Sequence, residues 1–367
     1  MRRSGPPDPT PTSSVPTLIS KLGLAGRGLV FLASLAIFAL SLLLVKEGAA
    51  PLAPLIRSGF QIDNPFDALG LGWLAAMVSL SGSPVAATAL AFFQAGVLDA
   101  IQTFSMIAGS RLGAAFVVLL VGFVYTLRRG TRESSLGAGL LSLLVTQTTF
   151  LPAILLGVVI FRSGLLGSVG FASNGGLVSP LDWAFSPIAA LLETLIPLWG
   201  LFPLGFGLML GSFWLFDMAL PQLHMQGTQL GRINRLLFRP GVSFLLGAGV
   251  TALTMSVSVS VSMLIPLSNR GFIRQENVIP YIMGANVTTF VDTLVAAALL
   301  ANPEAVTIVI VQMLSATFVS LAVLLLAFPT YDRLLARLTR SFLAHRWQMV
   351  AYLALTIGIP VALLGLT

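Results

Sequence analysis

Cysteine is absent from this chain of 367 residues, histidine occurs only twice, and charged side chains make up 9% of it. Without thiols there are neither disulfides nor thiolate metal sites, so cysteine usage says nothing about redox compartment. His224 and His345 fall in basic stretches too far apart in sequence to argue for a metal. Also missing are an H-E-x-x-H pair, a nucleotide-binding glycine loop and any Ser/His pairing within apolar sequence, so no enzyme is expected. The scarcity of charge, set against ~25% in an ordinary soluble domain, excludes a soluble protein.

What fills the chain instead is apolar, 56% of residues, as in an integral membrane protein. The formal net charge of +7 does not imply nucleic acid. Its arginines sit in short clusters between apolar runs rather than along one helix face, which is a topology signal.

Residues 1–23 read as a disordered basic tail with a Pro/Ser/Thr run, PPDPTPTSSVPT. The apolar run at 28–45 follows and exceeds a signal-peptide core of roughly 7–15 residues, so it is expected to span. Six more segments, about 99–127, 134–161, 200–219, 277–300, 305–328 and 347–366, suit crossings of ~17–25 residues. Two others, about 68–96 and 243–268, are interrupted by small and polar residues.

Three arginine clusters orient the chain: Arg128, Arg129 and Arg132; Arg232, Arg235 and Arg239; and Arg333, Arg337, Arg340 and Arg346. All belong on the cytoplasmic side together with the N-terminus. That is met if both interrupted segments are re-entrant hairpins, one entering from each side, which leaves seven crossings. Residues 182–199 are then a membrane-surface helix outside, and a crossing there would invert the second half.

Sliding the chain on itself by 175 residues aligns 72–116 with 247–291 without a gap. Gly72 falls on Gly247, Ser81 on Ser256, Ser83 on Ser258, Gly96 on Gly271, Ile107 on Ile282 and Gly109 on Gly284. Each copy holds three crossings and one hairpin, so the copies face opposite ways, as in transporters whose substrate site lies at the midplane. The expected organisation is a first inverted repeat at 24–162, a connecting segment at 163–199 and a second repeat at 200–328. A basic cytoplasmic loop at 329–346 and a C-terminal transmembrane helix at 347–367 complete the chain. The fold class is therefore all-α integral membrane with two inverted-topology repeats.

The run TALTMSVSVSVS at 251–262 alternates like a half-buried strand. A lone strand in lipid leaves its backbone groups unpaired at several kcal/mol each, so the run is read as the turn of the second hairpin. Hydroxyls and free carbonyls at such a break suit a cation, and helix N-termini suit an anion. Close packing of small residues is the plain alternative.

TALTMSVSV followed by IMGANVTTFVDTLVA, with a degenerate copy ahead of it, resembles the sodium/phosphate cotransporters. That family carries two inverted repeats, each with a Q-S-S-S-A hairpin motif and a G-A-N-I-G-T-T segment. The resemblance covers about 70–120 and 245–330. It implies that Ser81, Ser83, Ser256 and Ser258 help bind sodium and phosphate, with Asn286, Thr288 and Thr289 of the G-A-N segment beside them. The motif glutamines are replaced by Leu80 and Met255, the central serines by Gly82 and Val257, and the first G-A-N copy reads Gly109, Ser110, Arg111.

Arg111 and Asp292 occupy equivalent apolar segments, where a charge costs at least ~2.5–3.5 kcal/mol and normally faces a partner or a wet cavity. Arg111 is expected to supply fixed positive charge or to pair with an anionic substrate through its planar fork. Asp292 is expected as a cation or proton ligand, with sodium at Ser256, Ser258, Asn286 and Asp292. A simple buried ion pair is the alternative. Gln147, Thr148 and Thr149 line the cavity or bond between helices, and Gln312 and Ser315 share a face that could join the cavity.

The function these readings imply is secondary transport of phosphate or a related anion, with sodium as coupling ion and no other cofactor. The alternatives are another substrate, or a degenerate member acting as a channel or as a membrane partner of another protein. The expected surroundings are an inner or plasma membrane, and homodimerisation is compatible with the sequence.

Overall fold

The computed structural model describes residues 23–59, 62–129, 132–164, 180–219, 239–255, 257, 260–261 and 275–365. Among them the chain forms helices joined by turns. The expected N-terminal tail, the second arginine cluster apart from Arg239, and Ser256 and Ser258 lie outside the described residues.

In chain order the helices are α1 (Leu24–Gly59), α2 (Pro65–Ser79), α3 (Gly82–Gln94), α4 (Ala100–Arg129), α5 (Arg132–Arg162) and α6 (Pro180–Leu195). There follow α7 (Leu198–Ala219), α8 (Pro240–Thr254), α9 (Gln275–Thr288), α10 (Val291–Leu299), α11 (Pro303–Ala322), α12 (Phe328–Ala344) and α13 (Arg346–Gly365). Among the described residues seven stretches are long and apolar enough to cross a bilayer: Ala25–Pro54, Ala100–Val124, Leu136–Arg162, Leu198–Ala219, Asn277–Leu299, Pro303–Ala344 and Arg346–Gly365. The protein is a multi-pass membrane protein, all-helical among the described residues.

Local chemistry explains where the inner helices begin and stop. Asn64 caps α2 by accepting from the backbone N–H groups of Phe66 and Asp67 at 2.8 and 3.1 Å, while Asp67 accepts from Asn64 N–H at 3.1 Å. Asn302 caps α11 in the same manner and also donates to the Gln94 side chain at 2.6 Å, tying the end of α3 to the start of α11. Between α9 and α10 the helix breaks at Thr289 and Phe290, inside an apolar span. The turn keeps helical hydrogen bonds on both sides, Thr289 N–H donating to the Ala285 carbonyl at 3.1 Å and Leu294 N–H to the Phe290 carbonyl at 2.8 Å.

Packing repeats itself along the chain. The helices α2 and α8 each have 15 residues and begin with proline, and they end at Leu80 and Met255, both left-handed with φ of 54° and 48°. Helix α2 lies against α4, and α8 against α9. In the first pair Gly72 abuts the Met106 carbonyl and Gly109 abuts the Leu69 carbonyl; in the second Gly247 abuts the Tyr281 carbonyl and Gly284 the Phe244 carbonyl. Every partner in the second set lies 175 residues after its counterpart. No side chain fits at these glycines, which is what lets the backbones come together.

The remaining helices enclose these pairs. Helix α1 packs along α7, α5 joins α4 to α11, and α13 rests on α2. The segment 68–96 divides at Leu80 and Ser81 into α2 and α3, and in 243–268 the helix α8 ends at Thr254 with Met255 left-handed. Residues 182–199 form α6 and the start of α7; α6 is largely exposed and is fastened to α1 by Lys46 and Asp182 at 3.1 Å. The basic stretch expected as a loop at 329–346 is instead helical, as α12. Five π-helical residues, Val323–Ala327, connect α11 to it. Leu335 is fully buried while Arg337 and Arg340 are exposed, so its one-sided apolar pattern supports a helix where charge alone suggested a loop.

Candidate functional site

A single positive charge lies at the centre of the helix bundle. Arg111, on α4, is 4% exposed, and Asp292, in the first turn of α10, has a side chain 2% exposed. They face one another, Nη2 donating to Oδ1 at 3.1 Å. A lone charge of either sign at this depth would neutralise or draw water, so each accounts for the presence of the other.

Hydroxyls complete the surroundings. Arg111 Nη1 donates to Thr289 Oγ1 at 3.1 Å and to Ser83 Oγ at 3.4 Å, and Nη2 also donates to Thr293 Oγ1. Thr293 passes its own hydrogen to Asp292 Oδ1 at 2.8 Å. The Phe290 ring lies under the guanidinium, with Cζ 5.1 Å from its centroid, and stands 5.8 Å from the Phe150 ring. Two polar atoms of the pair have no partner among the described residues, Arg111 Nε and Asp292 Oδ2.

The break in each segment places these groups. Ser83 sits in the first turn of α3 because α2 ends at the left-handed Leu80 and Ser81 is extended. Thr289 and Phe290 meet Arg111 because α9 stops at Thr288 before α10 resumes. Gly82 stands where the resemblance puts a central serine, and a Cβ there would press on the Ser110 carbonyl and the Ala114 side chain. The replacement follows from how closely α3 approaches α4.

The other expected residues lie elsewhere. Ser81 precedes α3 without capping it. Asn286 donates to Thr146 at 3.0 Å, and Thr288 donates back to the Ala248 carbonyl at 2.8 Å. These three make no hydrogen bond to Arg111 or Asp292. Of the polar group on α5, Gln147 bonds α13 by accepting from Tyr352 at 2.6 Å, Thr148 meets Tyr331 at 2.6 Å, and Thr149 bonds its own helix at 2.7 Å. They serve as links between and within helices. Thr293 and Phe290 were not singled out by sequence; adjacency to Asp292 and to Thr289 was the only signal available.

A cavity of about 20 Å³ is lined by Asp292, Ser34 of α1, Ser212 of α7 and Met255 together with the apolar Leu35, Phe38, Phe213, Phe216 and Val295. Gln312 and Ser315, expected on a shared cavity face, do not line it. Ser315 donates to the Gln312 carbonyl at 3.0 Å, and the Gln312 amide is fully buried with neither its oxygen nor its nitrogen partnered among the described residues. Gln312→Met, of similar length and apolar, should therefore raise stability by about 1–3 kcal/mol, the desolvation cost of an unsatisfied amide. Thermal unfolding of the purified variant measures it, and a lowered midpoint would reveal that the amide is satisfied in the native protein.

No family model matches the chain. A sodium-dependent phosphate transport protein 2C of Mus musculus is 36% identical over 134 residues, which cover 34% of this chain and 22% of that protein. Its counterpart in Rattus norvegicus is 35% identical over the same length and shares. The match thus takes in less than a quarter of the length of these curated relatives. No solved structure matches. The chain is similar, over about a third of its length, to membrane transporters.

Proposed function

We propose that this protein is a secondary transporter of phosphate or a related oxyanion, coupled to sodium and working by alternating access. The observation that carries the reading is the buried Arg111 with its hydroxyl surround. A guanidinium matches an oxyanion with two parallel donors. Ser83 and Thr289 accept from Arg111, so their own hydrogens are left to donate to the same oxyanion. The surroundings therefore offer donors around one fixed positive charge, in a place where water cannot compete.

Two further findings support it. The partial relatives are named for sodium-dependent phosphate transport. The glycine contacts recurring 175 residues apart suit two inverted repeats, 24–162 and 200–328, with re-entrant hairpins at about 68–96 and 243–268. In that arrangement the N-terminus is cytoplasmic and the ligand lies where the broken helices meet. Ser81, Ser256, Ser258, Asn286 and Thr288 then line the route or hold sodium as the resemblance implies.

The test is uptake of labelled phosphate into liposomes under an inward sodium gradient, an inward proton gradient or neither. Sodium-driven uptake is expected, and Arg111→Lys should cut it by about tenfold or more, since an ammonium keeps the charge but loses the fork. Uptake in the Lys variant equal to that of the parent would refute a role for the guanidinium. No phosphate uptake under any gradient would favour a different substrate or a degenerate, non-transporting member.

A further inference from the structure

We infer that the outward face of α12 is a binding surface for the headgroups of anionic phospholipids. The inference stands apart from the oxyanion reading of Arg111 and uses none of its residues.

The two faces of α12 differ. Leu335 is fully buried, Tyr331 meets Thr148 of α5 at 2.6 Å, and the Phe342 ring stacks on Tyr352 of α13 with centroids 4.9 Å apart. Arg333, Arg337 and Arg340 recur four and three residues apart, which places them on one side of a helix, and all three are exposed. At 1.5 Å per residue the stripe is about 10 Å long, too long for one phosphate to bridge. The helix is also set off from α11. The π-helical Val323–Ala327 lies between them, and Ala327, with φ of −132° and ψ of 7°, leaves the helical region.

The arginines are short of partners. Arg333 and Arg340 donate through Nε to carbonyls four residues back, those of Pro329 at 2.9 Å and Ala336 at 3.2 Å. These bonds hold the side chains along the helix and leave the terminal nitrogens to grip phosphate oxygens. Among the described residues none of the three arginines forms an ion pair. Asp332, the one acidic side chain of α12, already has a partner of its own.

The neighbouring side chains select a lipid surface. Leu326, just before α12, is 85% exposed, Leu334 stands exposed within the stripe, and Trp347, just after α12, is 75% exposed. The Arg346 guanidinium lies 5.9 Å from the Trp347 ring centroid. Large apolar groups thus bracket the positive charge, and tryptophan favours headgroup depth. A soluble anion would meet these exposed arginines in competition with water, whereas the acyl chains of a lipid anchor its phosphate beside them. In the topology proposed above this end is cytoplasmic, the side on which anionic lipids give the membrane its negative surface potential. Because α12 is fastened to α5 and α13, bound headgroups should stabilise the fold.

The probe is purified full-length protein in non-ionic detergent, titrated with phosphatidylglycerol or with phosphatidylcholine of the same acyl chains. Phosphatidylglycerol should raise the melting temperature saturably, as a ligand of the folded state does, and phosphatidylcholine should not. Added salt should blunt the rise. Arg333→Gln, Arg337→Gln and Arg340→Gln combined should raise the half-saturating phosphatidylglycerol concentration by about tenfold or more, since each arginine near an anionic surface adds to the attraction. Glutamine matches arginine in helix propensity, so the variant should fold. If it does not, Arg337→Gln alone decides, with a rise of about fivefold expected; Arg337 makes no hydrogen bond or ion pair among the described residues that the change could break. A phosphatidylglycerol curve unchanged by these substitutions overturns the surface. So does a stabilisation by inorganic phosphate alone that the same substitutions remove, which would assign the stripe to a free anion.

Discussion

Asp292→Leu alone should lower folding stability by about 3–5 kcal/mol, because it leaves Arg111 as an uncompensated cation in the centre of the bundle. The side chains of both residues are at most 4% exposed, so the guanidinium cannot reach water without rearranging α3, α4 and the turn between α9 and α10. Combining Asp292→Leu with Arg111→Met should recover most of that loss. A well-packed apolar pair of similar volume is commonly as stable as the ion pair that it replaces. Unfolding followed by tryptophan fluorescence gives both values, and the double-mutant cycle isolates the interaction. Uptake then separates structure from function. A double variant that folds well but moves no phosphate shows that the pair is kept for transport. One that transports as the parent does shows that the charges only balance each other.

Gly109→Ala and Gly284→Ala form the second large test. A Cβ at Gly109 would overlap the Leu69 carbonyl, and one at Gly284 would overlap the Phe244 carbonyl, both well inside van der Waals contact. The obstacle is backbone, which cannot swing aside as a side chain tip can, so α2 and α4, or α8 and α9, must move apart. A cost of at least the roughly 1–3 kcal/mol of an overpacked core is expected at each, seen as lower yield of folded protein and a lower melting temperature. Gly249→Ala is the control. It lies on exposed α8 surface with nothing within 4 Å of an added Cβ, and alanine there should be neutral or stabilising by about 0.5–1 kcal/mol. Equal losses at all three glycines would mean that close backbone approach does not account for the first two, since helix propensity alone predicts a gain at each.

Hydropathy alone located the crossings. The spans at Ala100–Val124, Leu136–Arg162, Leu198–Ala219 and Asn277–Leu299 lie within a few residues of those expected, because length and apolarity of a span are local properties. The break at Leu80 was legible too, since small and polar residues interrupt 68–96, whereas the turn at Thr289 and Phe290 falls inside 277–300, which was expected as an unbroken crossing. Residues 329–346, expected as a basic cytoplasmic loop, are helical over most of their length, and Leu335, Tyr331 and Phe342 return at helical spacing and pack on the core. Charge signals a side of the membrane and leaves the backbone conformation open.

The site divides in the same way. From sequence came Arg111 and Asp292 as two charges in equivalent apolar segments, with ligand binding and a buried ion pair as the alternatives, because an isolated charge in an apolar span is costly. Sequence also supplied the 175-residue offset and with it the paired glycines. Only tertiary structure decided which hydroxyls surround Arg111, that Asn286 turns to Thr146 instead, and that Ser34 and Ser212 join Asp292 around one cavity. Arg111 and Asp292 are 181 residues apart, and contacts of that kind depend on the rotation and depth at which separate helices pack. A single helix sequence contains neither quantity; the close backbone approach at the glycines sets both.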